Sequence, residues 1–114
     1  MHELSIAMSI VDAAIEQSHR HGDAKVLAIH LKLGPLAGVI KEALNSAWEL
    51  ASRESEIAGS RLVIEQMPLV VYCPKCQQEK QLESVQDMRC PACGTSTPDI
   101  RGGREMEIVA MEIE

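Results

Sequence analysis

The sequence predicts an α/β (α+β) fold, namely a small three-stranded mixed sheet with two helices on one face and an inserted four-cysteine module. Three observations predict it. Two segments repeat apolar residues at helical spacing, three others alternate at strand spacing, and all four cysteines stand together as two Cys-x-x-Cys pairs. A chain of 114 residues suits one domain, or one domain with a small insert.

The first helix is predicted over residues 3–21, where Gly22 is a natural terminator and His19 and His21 complement the helix dipole. Its apolar stripe comprises Leu4, Ala7, Met8, Val11, Ala14 and Ile15. Residues 25–33 then alternate with a period of two, which predicts a half-buried strand. The apolar face of that strand comprises Leu27, Ile29, Leu31 and Leu33.

The second helix is predicted over residues 39–56, and two further strands over residues 62–66 and 105–113. The helix stripe comprises Ile40, Leu44, Ala47, Trp48 and Ala51. Strand, helix and strand in succession favour a parallel pair with a right-handed crossover, and the last strand returns after the insert. We therefore expect an α/β domain of residues 1–72 and 98–114, interrupted by an inserted domain of residues 73–97.

The composition argues against several classes of function. The formal net charge is −6 and the only aromatic residues are Trp48 and Tyr72, so the chain lacks the basic surplus and the stacking surface of a nucleic-acid-binding protein. It has neither a membrane-length apolar run nor a signal peptide, so we expect a cytoplasmic protein. The sequence shows no nucleophile paired with a base, no phosphate-binding loop and no pair of carboxylates in a cleft-like context, so nothing in it indicates an enzyme.

The four cysteines are the strongest signal in the chain. Cys73 and Cys76 form one Cys-Pro-x-Cys turn, and Cys90 and Cys93 form a second one after thirteen residues. Two such turns can direct four sulfurs at one point, which is the tetrahedral S4 arrangement that zinc prefers. A closed shell of four thiolates leaves no open position, and residues 73–97 contain few large apolar side chains. We therefore expect structural Zn²⁺ that contributes folding energy to this insert.

Other readings of the cysteines are open from spacing alone. Iron can occupy an S4 site of the same spacing. A thioredoxin-like dithiol would place one pair at a helix N-terminus, which a helix-poor segment does not favour. Disulfides are expected chiefly in secreted proteins.

The N-terminal residues Met1, His2 and Glu3 suggest a second metal site. Taken alone, they also fit a solvated start of a helix. Histidine at position 2 should prevent removal of Met1, so a free amine is expected beside the amide nitrogen and imidazole of His2. Glu3 adds an amide nitrogen or a carboxylate. Nitrogen-rich donors of this kind suit Ni²⁺ or Cu²⁺ better than zinc.

Together, Met1-His2-Glu3, the α/β body and the paired cysteines resemble the HypA/HybF family of hydrogenase nickel-incorporation proteins. The resemblance covers essentially the whole chain, including Lys32-Leu33-Gly34 and the last strand. It implies a nickel metallochaperone that is not an enzyme, with Ni²⁺ as transient cargo at Met1, His2 and Glu3 and structural zinc at the four cysteines. It also implies as partners the GTPase HypB and the [NiFe]-hydrogenase large-subunit precursor, and in some members urease maturation proteins.

The sequence leaves open a further nickel ligand, the oligomeric state and an alternative function. Some relatives carry an acidic residue at the position of Ile40, which is apolar here, so an acidic ligand from the second helix is in doubt. His19 and His21 are expected to be helix-end residues, and His30 to be a packed or surface residue. The sequence does not decide between a monomer and a homodimer. The alternative function is a zinc-ribbon adaptor or nucleic-acid-binding module without nickel transfer.

Overall fold

The computed structural model of the protein describes residues 2–114 and contains two helices and six strands. In chain order they are α1 (Glu3–Arg20), β1 (Val26–Leu33), α2 (Lys41–Ser52), β2 (Arg61–Gln66), β3 (Leu69–Cys73), β4 (Gln78–Leu82), β5 (Asp99–Gly102) and β6 (Met106–Ile113). The predicted helices and the three predicted strands are all present. α2 is shorter than predicted at both ends: it begins at Lys41 rather than at residue 39, and the chain leaves the helix after Ser52 and turns before β2.

The first sheet has the strand order β2-β1-β6. The N–H of Met67, just past β2, donates to the carbonyl of Leu33 at the end of β1, so β1 and β2 end together and run parallel. The N–H of Gly34 donates to the carbonyl of Glu105, and the N–H of Glu114 donates to the carbonyl of Lys25 at the other end of β1. β6 therefore runs antiparallel to β1, and the predicted mixed sheet is confirmed.

One hydrophobic core joins both helices to the first sheet. Its centre contains Ala7, Ile10, Val11 and Ala14 of α1, Leu44 and Trp48 of α2, Val26, Ile29 and Leu31 of β1, and Ile57. Because residues of both helices pack with the same residues of β1, the two helices lie on one face of the sheet, as predicted. The indole N–H of Trp48 donates to the carbonyl of Ser60 at 3.2 Å, which satisfies the polar group of this buried ring.

Several residues predicted on apolar faces are exposed. Leu4 and Met8 of α1, Ile40 before α2 and Leu27 of β1 all reach solvent, whereas Ile10 is buried instead. Ile40 is the extreme case, with 63% of its surface exposed. These side chains lie beyond the area that neighbouring elements cover, and a periodic stripe does not reveal the width of that area.

The second sheet, of strand order β4-β3-β5, was not predicted from the sequence. β3 pairs antiparallel with both neighbours: Leu69 faces Leu82 of β4, and Tyr72 faces Asp99 of β5. Val71 is fully buried in this sheet. Its other two strands are largely polar, so hydrophobic patterning alone does not reveal them.

The chain forms two compact units. The first comprises the described residues up to Lys32, together with Val39–Glu65 and Glu107–Glu114. The second comprises Leu33–Gly38 and Gln66–Met106. The predicted insert, residues 73–97, falls inside this second unit, which extends past it on both sides to include β3 and β5.

Candidate metal centre

The first cysteine pair is built on a β-hairpin. Cys73 ends β3 and faces Gln78, the first residue of β4, so the Cys-Pro-Lys-Cys segment is the connecting turn. The N–H of Gln77 donates to the carbonyl of Cys73 at 2.7 Å, and the N–H of Cys76 donates to the sulfur of Cys73 at 3.3 Å. Gln77 takes a left-handed φ of 57°, which closes the turn. This hairpin holds both sulfurs on the same side of the turn.

The second cysteine pair repeats the geometry of the first. The N–H of Gly94 donates to the carbonyl of Cys90 at 2.8 Å, and Gly94 takes a φ of 76°. Glycine adopts this conformation without the steric cost that a side chain brings. The N–H of Cys90 donates in turn to the carbonyl of Thr95 at 2.8 Å, which ties the two ends of the turn together.

The two turns bring all four sulfurs together. Their ligand atoms lie within 4.8 Å of one another, with Cys73 and Cys93 separated by 3.6 Å and Cys76 and Cys90 by 3.9 Å. Tetrahedral coordination at a zinc–sulfur distance of about 2.3 Å places sulfurs roughly 3.8 Å apart. The four cysteines thus stand close to the arrangement that a tetrahedral metal ion such as zinc requires.

The same geometry disfavours two of the other readings. All four cysteines are free thiols, so they form no disulfide. Cys73 is the last residue of a strand, and no helix lies between Cys73 and Cys93, so the helix N-terminus that activates a thioredoxin-like thiol is missing from this described segment.

The cluster distributes its protons unevenly. Hydrogen bonds with Thr95 lower the pKa of Cys93 to about 6. Hydrogen bonds with Cys93 and Cys73 raise the pKa of Cys76 to about 12. The thiols therefore concentrate negative charge at Cys93 and retain a proton at Cys76, and this proton must leave when a metal binds all four sulfurs.

A threonine that the sequence analysis did not single out supports the second turn. Thr97 is fully buried, and its N–H and its hydroxyl both donate to the carbonyl of Met88, at 2.9 and 2.7 Å. Met88 precedes Cys90 by two residues, and Thr97 follows Cys93 by four. These hydrogen bonds therefore join the segments just before and just after the second cysteine turn. The only available signal was the Thr-x-Thr sequence of residues 95–97 just after the cysteines, which is too common to indicate this role.

The N-terminal candidate site is described from His2 onward, since Met1 lies outside the described residues. His2 is exposed and is the N-cap of α1, and its carbonyl accepts from the N–H of Ile6 at 3.0 Å. The carboxylate of Glu3 accepts from the N–H of Ile40 at 3.3 Å, immediately before α2. Hydrogen bonds from its own N–H and from that of Ile40 lower the pKa of Glu3. The hydrogen bond between Glu3 and Ile40 therefore connects the start of α1 to the residue before α2.

The other three histidines are each held by an oxygen. His19 pairs with Glu56 at 2.8 Å, and this hydrogen bond raises the pKa of His19. The imidazole of His21 donates from Nδ1 to the carbonyl of Gln17 at 2.8 Å, at the end of α1. His30 pairs with Glu112 across the sheet at 2.6 Å. All three therefore have structural contacts, which agrees with the roles expected for them.

Comparison with known proteins decides the family. Residues 1–113 match the family model described as "Hydrogenase/urease nickel incorporation, metallochaperone, hypA". The chain belongs to the HypA family. This confirms the resemblance drawn from the N-terminal residues and the paired cysteines.

Individual relatives agree with the family assignment. The hydrogenase maturation factor HypA of Roseiflexus sp. (strain RS-1) is 44% identical over 114 residues, which cover 100% of this chain and 93% of the relative. The factor of the same name from Deinococcus radiodurans is 37% identical over 108 residues, covering 95% of this chain and 89% of the relative. HypA proteins are nickel metallochaperones and maturation factors, not enzymes, as expected for this chain.

Solved structures agree with the fold. The solution structure of the Ni metallochaperone HypA from Helicobacter pylori aligns with a TM-score of 0.63 and 23% identity, over 99% of this chain and 97% of that one. A second solution structure, of HypA protein, aligns with a TM-score of 0.66 and 23% identity, over 100% of this chain and 97% of that one. In residues 2–114 of this chain, neither helix has the length and apolar character needed to span a membrane.

Proposed function

We propose that this HypA-family chain carries Ni²⁺ on Met1, His2 and Glu3 and releases it during maturation of [NiFe]-hydrogenase, while Zn²⁺ on the four cysteines is structural. The observation that supports this most is the different state of the histidines. His19, His21 and His30 are each held by an oxygen, whereas His2 stands exposed at the start of α1.

Main-chain nitrogens are needed to complete such a site. Within residues 2–114, the four cysteines are the one cluster of three or more histidine, cysteine or acidic side chains close enough to share a metal ion. A nickel ion bound by this chain therefore cannot rely on a second preformed cluster of described side chains. The terminal amine, the amide nitrogen of His2 and its imidazole supply adjacent donors of the type that Ni²⁺ prefers.

Glu3 completes the set through its main chain in this proposal. Its carboxylate is occupied by the hydrogen bond from the N–H of Ile40 and so fastens the terminus to α2. Its amide belongs to the first turn of α1, where N–H groups have no backbone acceptor within the helix, and this N–H donates to the Glu3 carboxylate instead. We assign the fourth donor to this amide nitrogen and a positioning role to the carboxylate.

Nickel held beside the exposed His2 can be passed on by stepwise ligand exchange. A recipient offers its own ligands while imidazole and amine release one at a time, so no free ion forms. In this proposal the partners are the GTPase HypB and the hydrogenase large-subunit precursor in the cytoplasm, with urease maturation proteins as a second client. The adaptor and nucleic-acid alternatives gain no support from an acidic chain whose family incorporates nickel.

A nickel titration of zinc-loaded protein with histidine variants tests the proposal. His2→Ala should weaken nickel binding at least 100-fold and leave the zinc content unchanged, because it removes the only side-chain nitrogen of the site. His19→Ala and His21→Ala are matched controls and should bind nickel like the natural protein. Equal weakening by His19→Ala, or unchanged binding by His2→Ala, would contradict the assignment.

A further inference from the structure

The structure points to a docking surface at the free edge of β6, independent of the metal sites. We propose that β6 and the groove beside it bind an extended segment of a partner protein, with apolar side chains at alternate positions and basic side chains toward its ends. This segment would add a fourth strand to the first sheet.

β6 has a free edge. In the strand order β2-β1-β6 it is the terminal strand, and no described strand pairs with its outer side. It is eight residues long and contains no lysine, arginine or proline, which are residues that commonly protect an edge from pairing. Its outward N–H and carbonyl groups are therefore available to an added strand.

The groove beside this edge is lined mainly by apolar side chains, together with Glu16, Gln17 and His21 from α1 and its end. It has a volume of about 450 Å³ and lies between α1 and β6. Val109, Met111 and Ile113 are alternate residues of β6, and they line it opposite Ala13 and Gln17 of α1. Val109 and Ile113 remain 47% and 40% exposed. Alternate side chains of an added strand would cover this surface and gain the free energy of apolar burial.

The charges at the ends of β6 favour a basic partner segment. Glu107 at one end of β6 and Glu114 just after the other end have no ion-pair partner among the described residues. A second copy of this chain is a poor occupant, because both ends of the strand are acidic. Antiparallel pairing of two β6 strands would place Glu107 of one copy near Glu112 or Glu114 of the other. Parallel pairing in register would place each of these carboxylates near the same carboxylate of the other copy. Like charges directly opposite each other destabilise a strand pair, whereas basic residues there stabilise it.

The test uses zinc-loaded full-length protein and two synthetic eight-residue peptides. Both carry valine and threonine in alternation, one with lysines at both ends and the other with glutamates. The lysine peptide should shift the amide resonances of residues 107–113 and slow their hydrogen exchange, with an affinity at least tenfold above that of the glutamate peptide. Val109→Thr should weaken the lysine peptide at least threefold, and Glu107→Lys should reduce the preference between the peptides.

Three outcomes would overturn the proposal. The first is equal binding of both peptides. The second is binding of the lysine peptide elsewhere, with no change in residues 107–113. The third is a concentration-dependent dimer, measured by sedimentation, whose formation protects β6. The last outcome would make a second copy of the chain the occupant. None of them bears on nickel binding at His2, so this inference can fail without affecting the proposed function.

Discussion

Replacing Gly34 by alanine should destabilise the protein more than its small size suggests. Gly34 follows β1, and a Cβ at this position would collide with the carbonyl group of Gly103. The obstacle is backbone that is itself bonded, because the carbonyl of Gly103 accepts from the N–H of Leu36 at 2.7 Å. The N–H of Gly34 also donates to the carbonyl of Glu105 at 2.8 Å. The new methyl group can therefore be accommodated only by moving this junction.

The expected magnitude follows from these contacts. Overpacking costs about 1–3 kcal/mol, and weakening of two backbone hydrogen bonds adds about 0.5–1.5 kcal/mol each. We expect the free energy of unfolding to fall by about 2–6 kcal/mol. Gly102→Ala is the matched control in the same unit, since its Cβ would meet Glu105 and Val70 at ordinary contact distances of 3.5 Å. Its effect should stay within about 1 kcal/mol.

Urea unfolding followed by circular dichroism measures both variants, with zinc in constant excess because free ligand shifts apparent stability. Hydrogen exchange at the amide of Leu36 gives a local measure and should accelerate in Gly34→Ala alone. If Gly34→Ala were as stable as Gly102→Ala, the close approach of Gly34 and Gly103 would not be a feature of the folded protein.

Three further predictions concern the rest of the molecule. Thr97→Val should cost about 1–2 kcal/mol in zinc-loaded unfolding, because it removes the hydroxyl bond to Met88 from a buried position; an unchanged midpoint would contradict this. Removal of zinc by a chelator should broaden the amide resonances of β3–β5 while the fluorescence of buried Trp48 in the other unit persists, and loss of both signals together would argue against two separately stabilised units. The hydrogen bond to His30 lowers the pKa of Glu112, so His30→Ala should raise that pKa toward its ordinary value. The stability linked to the Glu112 carboxylate is present above its pKa in the unfolded chain and is lost as pH falls through its pKa in the folded protein. A carboxyl titration by NMR that is the same in both proteins would refute that pairing.

The sequence predicted the first sheet and its helices because their burial is periodic. Val11 and Ala14 of α1 and Ile29 and Leu31 of β1 stand at the spacings that helices and strands impose on a buried face. The prediction was wrong for Leu4, Met8, Leu27 and Ile40, whose exposure depends on where neighbouring elements end.

The second sheet could not be predicted in the same way. β4 has the sequence Gln-Glu-Lys-Gln-Leu and β5 the sequence Asp-Ile-Arg-Gly, and neither has the apolar alternation of a half-buried strand. These strands form by pairing with β3, whose end carries Cys73. Arg101 of β5 also lies over the ring of Tyr72, 4.6 Å from its centroid. Such cross-strand contacts are visible only once the chain is folded.

Only part of the candidate site could be predicted from the sequence. The cysteine cluster was predictable because two residues between thiols fix the geometry of each pair locally, and two such pairs in one short segment indicate a shared metal ion. The contact between Glu3 and Ile40 was not, because it joins residues 37 positions apart through the packing of α1 and α2. The partners of His19 and His30 likewise come from distant parts of the chain.

The proposed binding of nickel by the Met1 amine is tested most directly by adding a single glycine before Met1. The added residue leaves every side chain and both units unchanged, but it turns the Met1 amine into an amide and moves the new amine away from His2. Isothermal titration of zinc-loaded protein with Ni²⁺ should then show affinity reduced at least 100-fold, with zinc content and circular dichroism as in the natural protein. An extended protein that binds Ni²⁺ with undiminished affinity would show that the cargo is held elsewhere.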